Sequence, residues 1–453
     1  MKRALALFVR LQILTLTIGC VQTSFAAEVP TAQRMLNEFL KPLVERGLFS
    51  GSVVIREDGQ VTAELNAGYA NRELHVPVNA STKFYVASIT KSFTAAAILR
   101  LREAGKVDLN DPLKKYLPEF PHGDVTVRQL LTHTSGFQHP VFFPDFYDLA
   151  KRSYTTEEAA LLFKDRPLVS APGTTTRYSD YNYILLARVI EVASGEPYGD
   201  YLAAHFFRPL QLTSAGTHTG WSAIVLDRAA GYQPIRIRDF QNSPYFDYSI
   251  DTGAASIFMS AADLARWVEA IGSGRVLNSE DSAELTGSAE RRGLLGNTQV
   301  SAKQALTLTG WDNIGFGSAA LYFPEVRLSI AVTINENNSG LATYVAGELA
   351  KGYLAGVQAP PPEFSREPIE TTQYLGVYRF GKDFYVPGQE MEIVSESGEL
   401  FERQHRPERM IGLLAMSDGS FRHRSHWGRI TFEKKGSRIG GLEFDGFKAE
   451  KIR

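Results

Sequence analysis

The chain has 453 residues, 22% of them charged and 44% apolar, which supplies a packed core and excludes wholesale disorder. Its 48 basic and 50 acidic residues leave a net charge of −2, so it offers no electrostatic footprint for a nucleic-acid backbone. The length suggests about two or three domains.

Lys2, Arg3 and Arg10 precede an apolar run over residues 11–18, and small residues follow at Ser24, Ala26 and Ala27, the order of a secretory signal. Arg10 interrupts the one stretch that approaches the roughly 20 apolar residues of a membrane span, so removal of residues 1–26 is expected rather than retention. Cleavage after Ala26 takes Lys2, Arg3 and Arg10 and no acid, moving the net charge from −2 to −5. It also removes Cys20, the only cysteine, leaving no disulfide, thiolate nucleophile or cysteine-ligated metal in the mature protein. Thr17-Ile18-Gly19-Cys20 loosely resembles a bacterial lipoprotein box, so a lipid anchor at Cys20 is the competing expectation. Periplasmic or secreted location follows from either.

From Ser52 the pattern SVVIREDGQVTAEL reads as a hairpin around Asp58-Gly59. Residues 88–104 are helix formers with apolar side chains on every face, so this helix should be buried, and Gly105 stops it. A proline-punctuated stretch with Pro112, Pro118, Pro121, Pro140 and Pro144 leads to a second apolar helix over about 182–194. Strand patterns return in 306–334, with a turn at Pro324-Glu325. Strands at both ends of a helical middle predict one α+β domain over 28–356, its sheet completed by distant segments. APPP at 359–362 makes 357–372 a stiff linker, and the short strand-like runs of 373–453 predict a small all-β sandwich or barrel.

Phosphate-loop and dinucleotide patterns and the G-x-S-x-G elbow do not occur. The nine histidines are scattered, and His423 and His426 have no matching third ligand, so no metal or cofactor is expected and these two read as surface or loop residues. One arrangement carries a mechanism. Ser88 and Lys91 are three apart at a helix start, where unpaired N–H groups favour developing negative charge. Burial on an apolar helix should lower the lysine pKa from its usual ~10.4, allowing a neutral amine to take the serine proton. The same pair also describes a helix N-cap followed by a snorkelling lysine.

Taken together, the run from FYVASITKSF to VTVRQLLTHTSGF, then PGTTTRYSDYNYILLARVIE, TGAASIFMSAADLARW and LTGWDNIGFGSAALYFPE, resembles the serine β-lactamase and penicillin-binding-protein-like family. It is most similar to the branch with class C β-lactamases, D-aminopeptidases and esterases. The resemblance implies a β-lactamase/transpeptidase-like antiparallel sheet flanked by helices, with a helical lobe. It implies that Ser88 attacks an acyl carbon while Lys91 and Tyr178 shuttle its proton, giving an acyl-enzyme. The backbone N–H groups of Ser88 and Trp311 would form the oxyanion hole. Asp180, Leu308, Thr309 and Gly310 would border the substrate; Asp180 is open between holding Lys91, touching substrate and forming a turn. His133 matches the family too, with a structural role favoured over a catalytic one. Relatives usually carry Lys or His where Leu308 stands, to receive a substrate carboxylate, so a neutral ester or amide is favoured over β-lactams or D-Ala-D-Ala peptides. Phe137, Phe142, Phe143, Phe146 and Tyr147 either line an acyl pocket or pack in the core. YLGVYRF at 374–380 resembles the start of lipocalin-like barrels appended to this family, which either bind a ligand in an apolar cavity or serve as a filled appendage. The expected function is an exported serine hydrolase of esters, D-amino-acid peptides or β-lactam-like compounds; the alternative is a peptidoglycan or β-lactam sensor acylated without turnover.

Overall fold

The first strand explains why the sheet must be covered on both sides. In Gly51–Glu57 (β1) Val53 and Ile55 point one way and Val54 the other, and all three are buried. Asp58 at φ 50° and Gly59 at φ 77° supply the left-handed turn into Gln60–Ala67 (β2). The computed structural model describes residues 31–453 apart from 219, 221, 288–292, 406–407 and 437, so the export segment and Cys20 lie outside the described residues.

Four later strands, Gly296–Val300 (β3), Lys303–Trp311 (β4), Gly317–Phe323 (β5) and Leu328–Ile334 (β6), complete an antiparallel sheet in the order β3-β4-β5-β6-β1-β2. The distant segments anticipated from sequence therefore meet at the β1–β6 ladder. Ala32–Glu45 (α1) packs with Val53, Ile55, Ile330 and Val332 on one face. On the other, Val54, Ala320 and Ala331 meet Thr90–Glu103 (α2), Asp180–Ser194 (α3) and Ala261–Gly272 (α4). Each apolar side chain so buried contributes about 1.5–3 kcal/mol. Helix α2 is buried on nearly every side, Lys91 included, as its composition predicts. Among the described residues no helix is long and apolar enough to cross a membrane.

Leu341–Ala355 (α5) covers the first face and leads into 357–372, which is docked rather than free: Ala359 is sealed against α5, Phe364 joins the core, and Arg46 sits over its ring at 4.6 Å. Eight strands from Gly376–Phe380 to Phe447–Lys451 then close an antiparallel barrel. Tyr378, Ile393, Leu400, Leu413, Ile430 and Leu442 fill much of its interior. A cavity of about 340 Å³ remains, lined by Phe384, Tyr385, Met391 and Phe444 together with Glu402 and Gln404, so it is more polar than a simple apolar ligand site. His423 is not a surface or loop residue but a buried strand one, its Nε2 pairing with Glu402 Oε2 at 2.7 Å, whereas His426 lies half-buried in the turn that follows, its pKa lowered to about 4 by burial and by His423.

The barrel is bolted to the α+β domain by Arg424, whose Nη2 meets Glu336 Oε2 at 2.5 Å with both side chains fully buried. Arg424 Nε also donates to the Ile237 carbonyl at 3.1 Å, and Asn338 donates to the Arg424 carbonyl at 2.8 Å. Arg424→Ala would strand the Glu336 carboxylate. It should cost about 3–5 kcal/mol in chemical denaturation, and a loss under about 1 kcal/mol would contradict this reading of the interface.

Candidate active site

Ser88 sits in a 3-10 turn, Ala87–Ile89, that leads directly into α2. Ala87 holds φ 47°, a left-handed conformation costing a non-glycine residue of order 1 kcal/mol. The turn is pinned from three directions: Val86 N–H donates to the Ile257 carbonyl at 3.0 Å, Ile257 N–H donates to Thr90 Oγ1 at 3.1 Å, and Ser318 Oγ donates to the Val86 carbonyl at 2.8 Å. Strain and clamps together fix where the serine hydroxyl points.

Lys91, one turn on, presents three N–H donors to three acceptors: Ser88 Oγ at 3.1 Å, Asp180 Oδ1 at 2.7 Å and the Ala254 carbonyl at 3.1 Å. Burial pushes the lysine pKa down, as the sequence suggests. The Asp180 carboxylate and Tyr178 more than reverse this, so the pKa is raised and Lys91 is an ammonium; the expectation of a neutral lysine is corrected. Asp180 is the first residue of α3, where the helix dipole favours an anion, and Lys91 and His139 overcome its burial to hold it well below the usual carboxylate range. Of the three readings left open for Asp180, the contact with Lys91 is the one observed.

Tyr178 completes the group, its hydroxyl 2.7 Å from Ser88 Oγ and its ring centroid 4.9 Å from Lys91 Nζ. The side chain is 48% exposed along the cleft, and desolvation around the hydroxyl raises its pKa more than Lys91 lowers it. With Lys91 donating to Oγ, the serine hydrogen is left to point at the tyrosine oxygen. Ser88, Lys91 and Tyr178 therefore converge.

Supporting residues explain the convergence. His133 Nδ1 accepts from Ser179 N–H at 3.2 Å and from Asn182 Nδ2 at 3.0 Å, and its ring packs 4.6 Å from that of Tyr178. Burial and Lys91 lower its pKa to about 4, so it positions Tyr178 as a neutral ring. His139 was not singled out in the sequence. Its Nδ1 accepts from Val141 N–H at 3.2 Å, which leaves the Nε2 proton for Asp180 Oδ2 at 3.3 Å. Tyr248 was likewise missed; its hydroxyl donates to Asp312 Oδ2 at 2.7 Å, while Asp312 Oδ1 accepts from Ile314 and Phe316 N–H at 2.9 Å each. No local motif marks these residues, because tertiary packing alone brings them to the site.

The remaining wall is β4. Its alternation sends Leu306, Leu308 and Gly310 toward the core and leaves Thr309 exposed. Leu308 is 4% exposed and packs in the core, so it contributes little side chain to substrate contact. Gly310 lies against the serine turn: an added Cβ would fall 2.2 Å from the Val86 carbonyl oxygen and 3.1 Å from Ile89 N. Asp312 N–H bonds to the carbonyl of Phe316, the residue just before β5, so ladder alternation aims Trp311 N–H at the opposite edge, beyond the last β3 pairing at Thr307. Trp311 and Ser88 line the same cleft.

A cleft of about 900 Å³ runs over these groups. Phe142, Phe146 and Tyr147 line it, whereas Phe137 is buried in the core and Phe143 stacks on Phe163 at 5.4 Å. Among the described residues no group of three or more His, Cys, Asp or Glu is placed to hold a metal.

The Beta-lactamase family model matches residues 34–352. The chain belongs to that family. The putative penicillin-binding protein PbpX of Bacillus subtilis (strain 168) is 33% identical over 239 residues, 52% of this chain and 58% of PbpX. The match thus spans little more than half of that relative's length. A D-stereospecific amidohydrolase from Streptomyces sp. superposes at TM-score 0.59 with 26% identity, over 71% of this chain and 97% of its own. The octameric penicillin-binding protein homologue from Pyrococcus abyssi superposes at TM-score 0.61 with 23% identity over 92% of this chain and 99% of its own, which shows a shared fold extending into the barrel. The protein is thus of the serine hydrolase superfamily, on the β-lactamase/transpeptidase fold.

Gly310→Ala tests how closely β4 must approach the serine turn. A shift of about 1 Å there should cost about 100-fold in kcat of whatever acyl transfer the protein performs, with circular dichroism confirming a folded variant. Unchanged kcat would show that the approach is not needed.

Proposed function

We propose that the protein is an exported serine hydrolase that forms an acyl-enzyme through Ser88 on uncharged esters or amides. The observation that carries this reading is the convergence of Ser88 Oγ with Lys91 Nζ at 3.1 Å and the Tyr178 hydroxyl at 2.7 Å. Hydrogen-bond reach is the first requirement of a general base. The basic N-terminus and apolar run support export, with a lipid anchor at Cys20 as the competing processing route.

In this mechanism the reactive form carries one proton fewer on the Lys91–Tyr178 pair, and Lys91 as ammonium stabilises the Tyr178 phenolate. The Ser88 hydroxyl proton passes to the Tyr178 oxygen as Oγ bonds to the acyl carbon. The resulting oxyanion is received by the N–H groups of Ser88 and Trp311. Tyr178 then returns the proton to the leaving oxygen or nitrogen as its bond to the acyl carbon breaks. Water repeats the sequence on the acyl-enzyme and restores Ser88.

The preference for uncharged acyl groups over β-lactams is supported by the charges present. Among the described lining residues Lys91 is the sole Lys or Arg, and Asp180 already holds it. The same shortage of a carboxylate receiver favours the second reading, a sensor acylated without turnover.

Steady-state hydrolysis of a neutral p-nitrophenyl short-chain ester, with a chromogenic cephalosporin in parallel, separates these readings. Ser88→Ala should lower ester turnover by about 10³-fold or more. The wild-type kcat/KM should rise with pH into the alkaline range, because the pair must lose a proton that Asp180 helps to retain. Asp180→Asn removes that attraction, lowers the lysine pKa and should move the rise to lower pH. Turnover surviving in Ser88→Ala refutes the nucleophile, a rise unmoved by Asp180→Asn refutes the role given to the ion pair, and a stoichiometric burst without turnover supports the sensor.

A further inference from the structure

The mouth of the C-terminal barrel holds a second cavity, of about 340 Å³, that the mechanism above does not use. Among the described residues Ser339 is the only one it shares with the Ser88 cleft. An eight-stranded barrel is just wide enough to be filled by side chains or to hold one small ligand, and the volume left here lies at the small end of ligand pockets. Its polar wall follows from strand alternation. In the strand Glu399–His405, Leu400, Glu402 and Gln404 share a face, and Leu400 belongs to the barrel core, so the carboxyl and amide groups point inward as well. A carboxyl group in that position costs desolvation unless donors surround it.

The donors present fall short of that. Glu402 is 5% exposed; its Oε2 pairs with His423 Nε2 at 2.7 Å, but Oε1 meets only Gln404 Nε2 at 3.5 Å, the outer limit of a hydrogen bond. Burial pushes the Glu402 carboxyl up, and the His423 hydrogen bond overcomes this and holds it below its ordinary value, so it is ionised at neutral pH. Asp445, in the turn before the last strand, brings a second carboxyl group. Its Oδ1 accepts from Arg429 N–H at 2.8 Å, and it has no ion pair among the described residues. No lysine or arginine is among the described lining residues, and His426, held to about 4, is neutral at pH 7. The rest of the wall is aromatic: Phe384 and Phe444 are buried, and Tyr385 at the opening is 77% exposed, a ring left in water beside the cavity. Phe384 stacks on Phe380 at 3.9 Å, which fixes that side of the wall. Ring faces attract cations and exclude the water that would screen the carboxylates.

We propose that the barrel cavity is a binding site, separate from the Ser88 cleft, for a small primary ammonium compound with an apolar body, Glu402 and Asp445 receiving the ammonium and Phe384, Tyr385 and Phe444 covering the body. The ammonium supplies the donor that Glu402 Oε1 lacks and the positive charge that no lining side chain supplies. The ligand is bound rather than hydrolysed, so the inference does not depend on Ser88 being a nucleophile.

The test is calorimetric binding to the full chain at about pH 7, where an alkylamine is protonated, with 2-phenylethylamine, the neutral 2-phenylethanol and the anionic phenylacetate as probes. The amine should bind about tenfold or more tightly than the alcohol, and phenylacetate most weakly. Asp445→Asn keeps an acceptor for Arg429 N–H and tolerates the left-handed φ of 50° at that turn, so it removes charge while leaving the fold intact. It should cut the amine's advantage by about threefold or more, and Glu402→Gln should abolish it, each changing the alcohol's affinity by less than about twofold. If Glu402→Gln fails to fold because of the His423 contact, Asp445→Asn decides alone. Equal affinity for amine and alcohol, undetectable binding of the amine, or an advantage untouched by Asp445→Asn, which would put the amine at another site such as the Ser88 cleft, would overturn the proposal.

Discussion

The site depends on one buried ion pair. Lys91 is carried into the interior by a helix apolar on almost every side, a position that by itself favours a neutral amine. The Asp180 carboxylate, placed at the N-terminus of α3, reverses that preference and fixes the ammonium on Ser88 Oγ and the Ala254 carbonyl. Three segments distant in sequence are thereby locked to a single nitrogen, and His133 and His139 serve to hold the Asp180 corner in place. Removing the carboxylate would release more than a contact, because it would leave a buried cation without its counterion.

The barrel connects to the same machinery through a short loop after β6. Glu336 pairs with Arg424 of the barrel, Asn337 Oδ1 accepts from Trp311 Nε1 at 2.8 Å, and Ser339 Oγ lies 3.0 Å from His426 Nδ1. Ser339 borders both the Ser88 cleft and the barrel cavity. Gly340 approaches so closely that an added Cβ would fall 2.2 Å from the His426 carbonyl oxygen. The loop that docks the barrel is therefore also the loop that braces the end of β4, and the C-terminal unit is tied to the wall of the Ser88 cleft rather than trailing from it.

Much of this was legible in the sequence where information is local. Period-two patterns and turn residues gave the hairpin at Asp58-Gly59 and the turn at Pro324, and the i, i+3 spacing placed Ser88 and Lys91 on one face. The order of the family's motifs picked out Tyr178 and Gly310, which line the same cleft as Ser88, while the close approach of Gly310 to the serine turn appears only in the fold. The charge of Lys91 was not legible, because composition reports burial but not which carboxylate lies beside it. His139 and the Tyr248–Asp312 pair escaped for the same reason. The burial of Leu308 was present in the alternation Leu306, Leu308, Gly310, but a motif alignment reads a residue type and not the face it occupies. The positive φ at Ala87 has no signature at all, since alanine does not ordinarily adopt it.

The central claim, that Ser88 is the acylated residue of a Lys91–Tyr178 site, is tested most directly by trapping. The wild-type protein would be treated with a fluorophosphonate and separately with a p-nitrophenyl ester under acid quench, and the modified peptide located by mass spectrometry. The account predicts a single adduct on Ser88, lost in Ser88→Ala. An adduct on another residue, or the same labelling in Ser88→Ala, would contradict it.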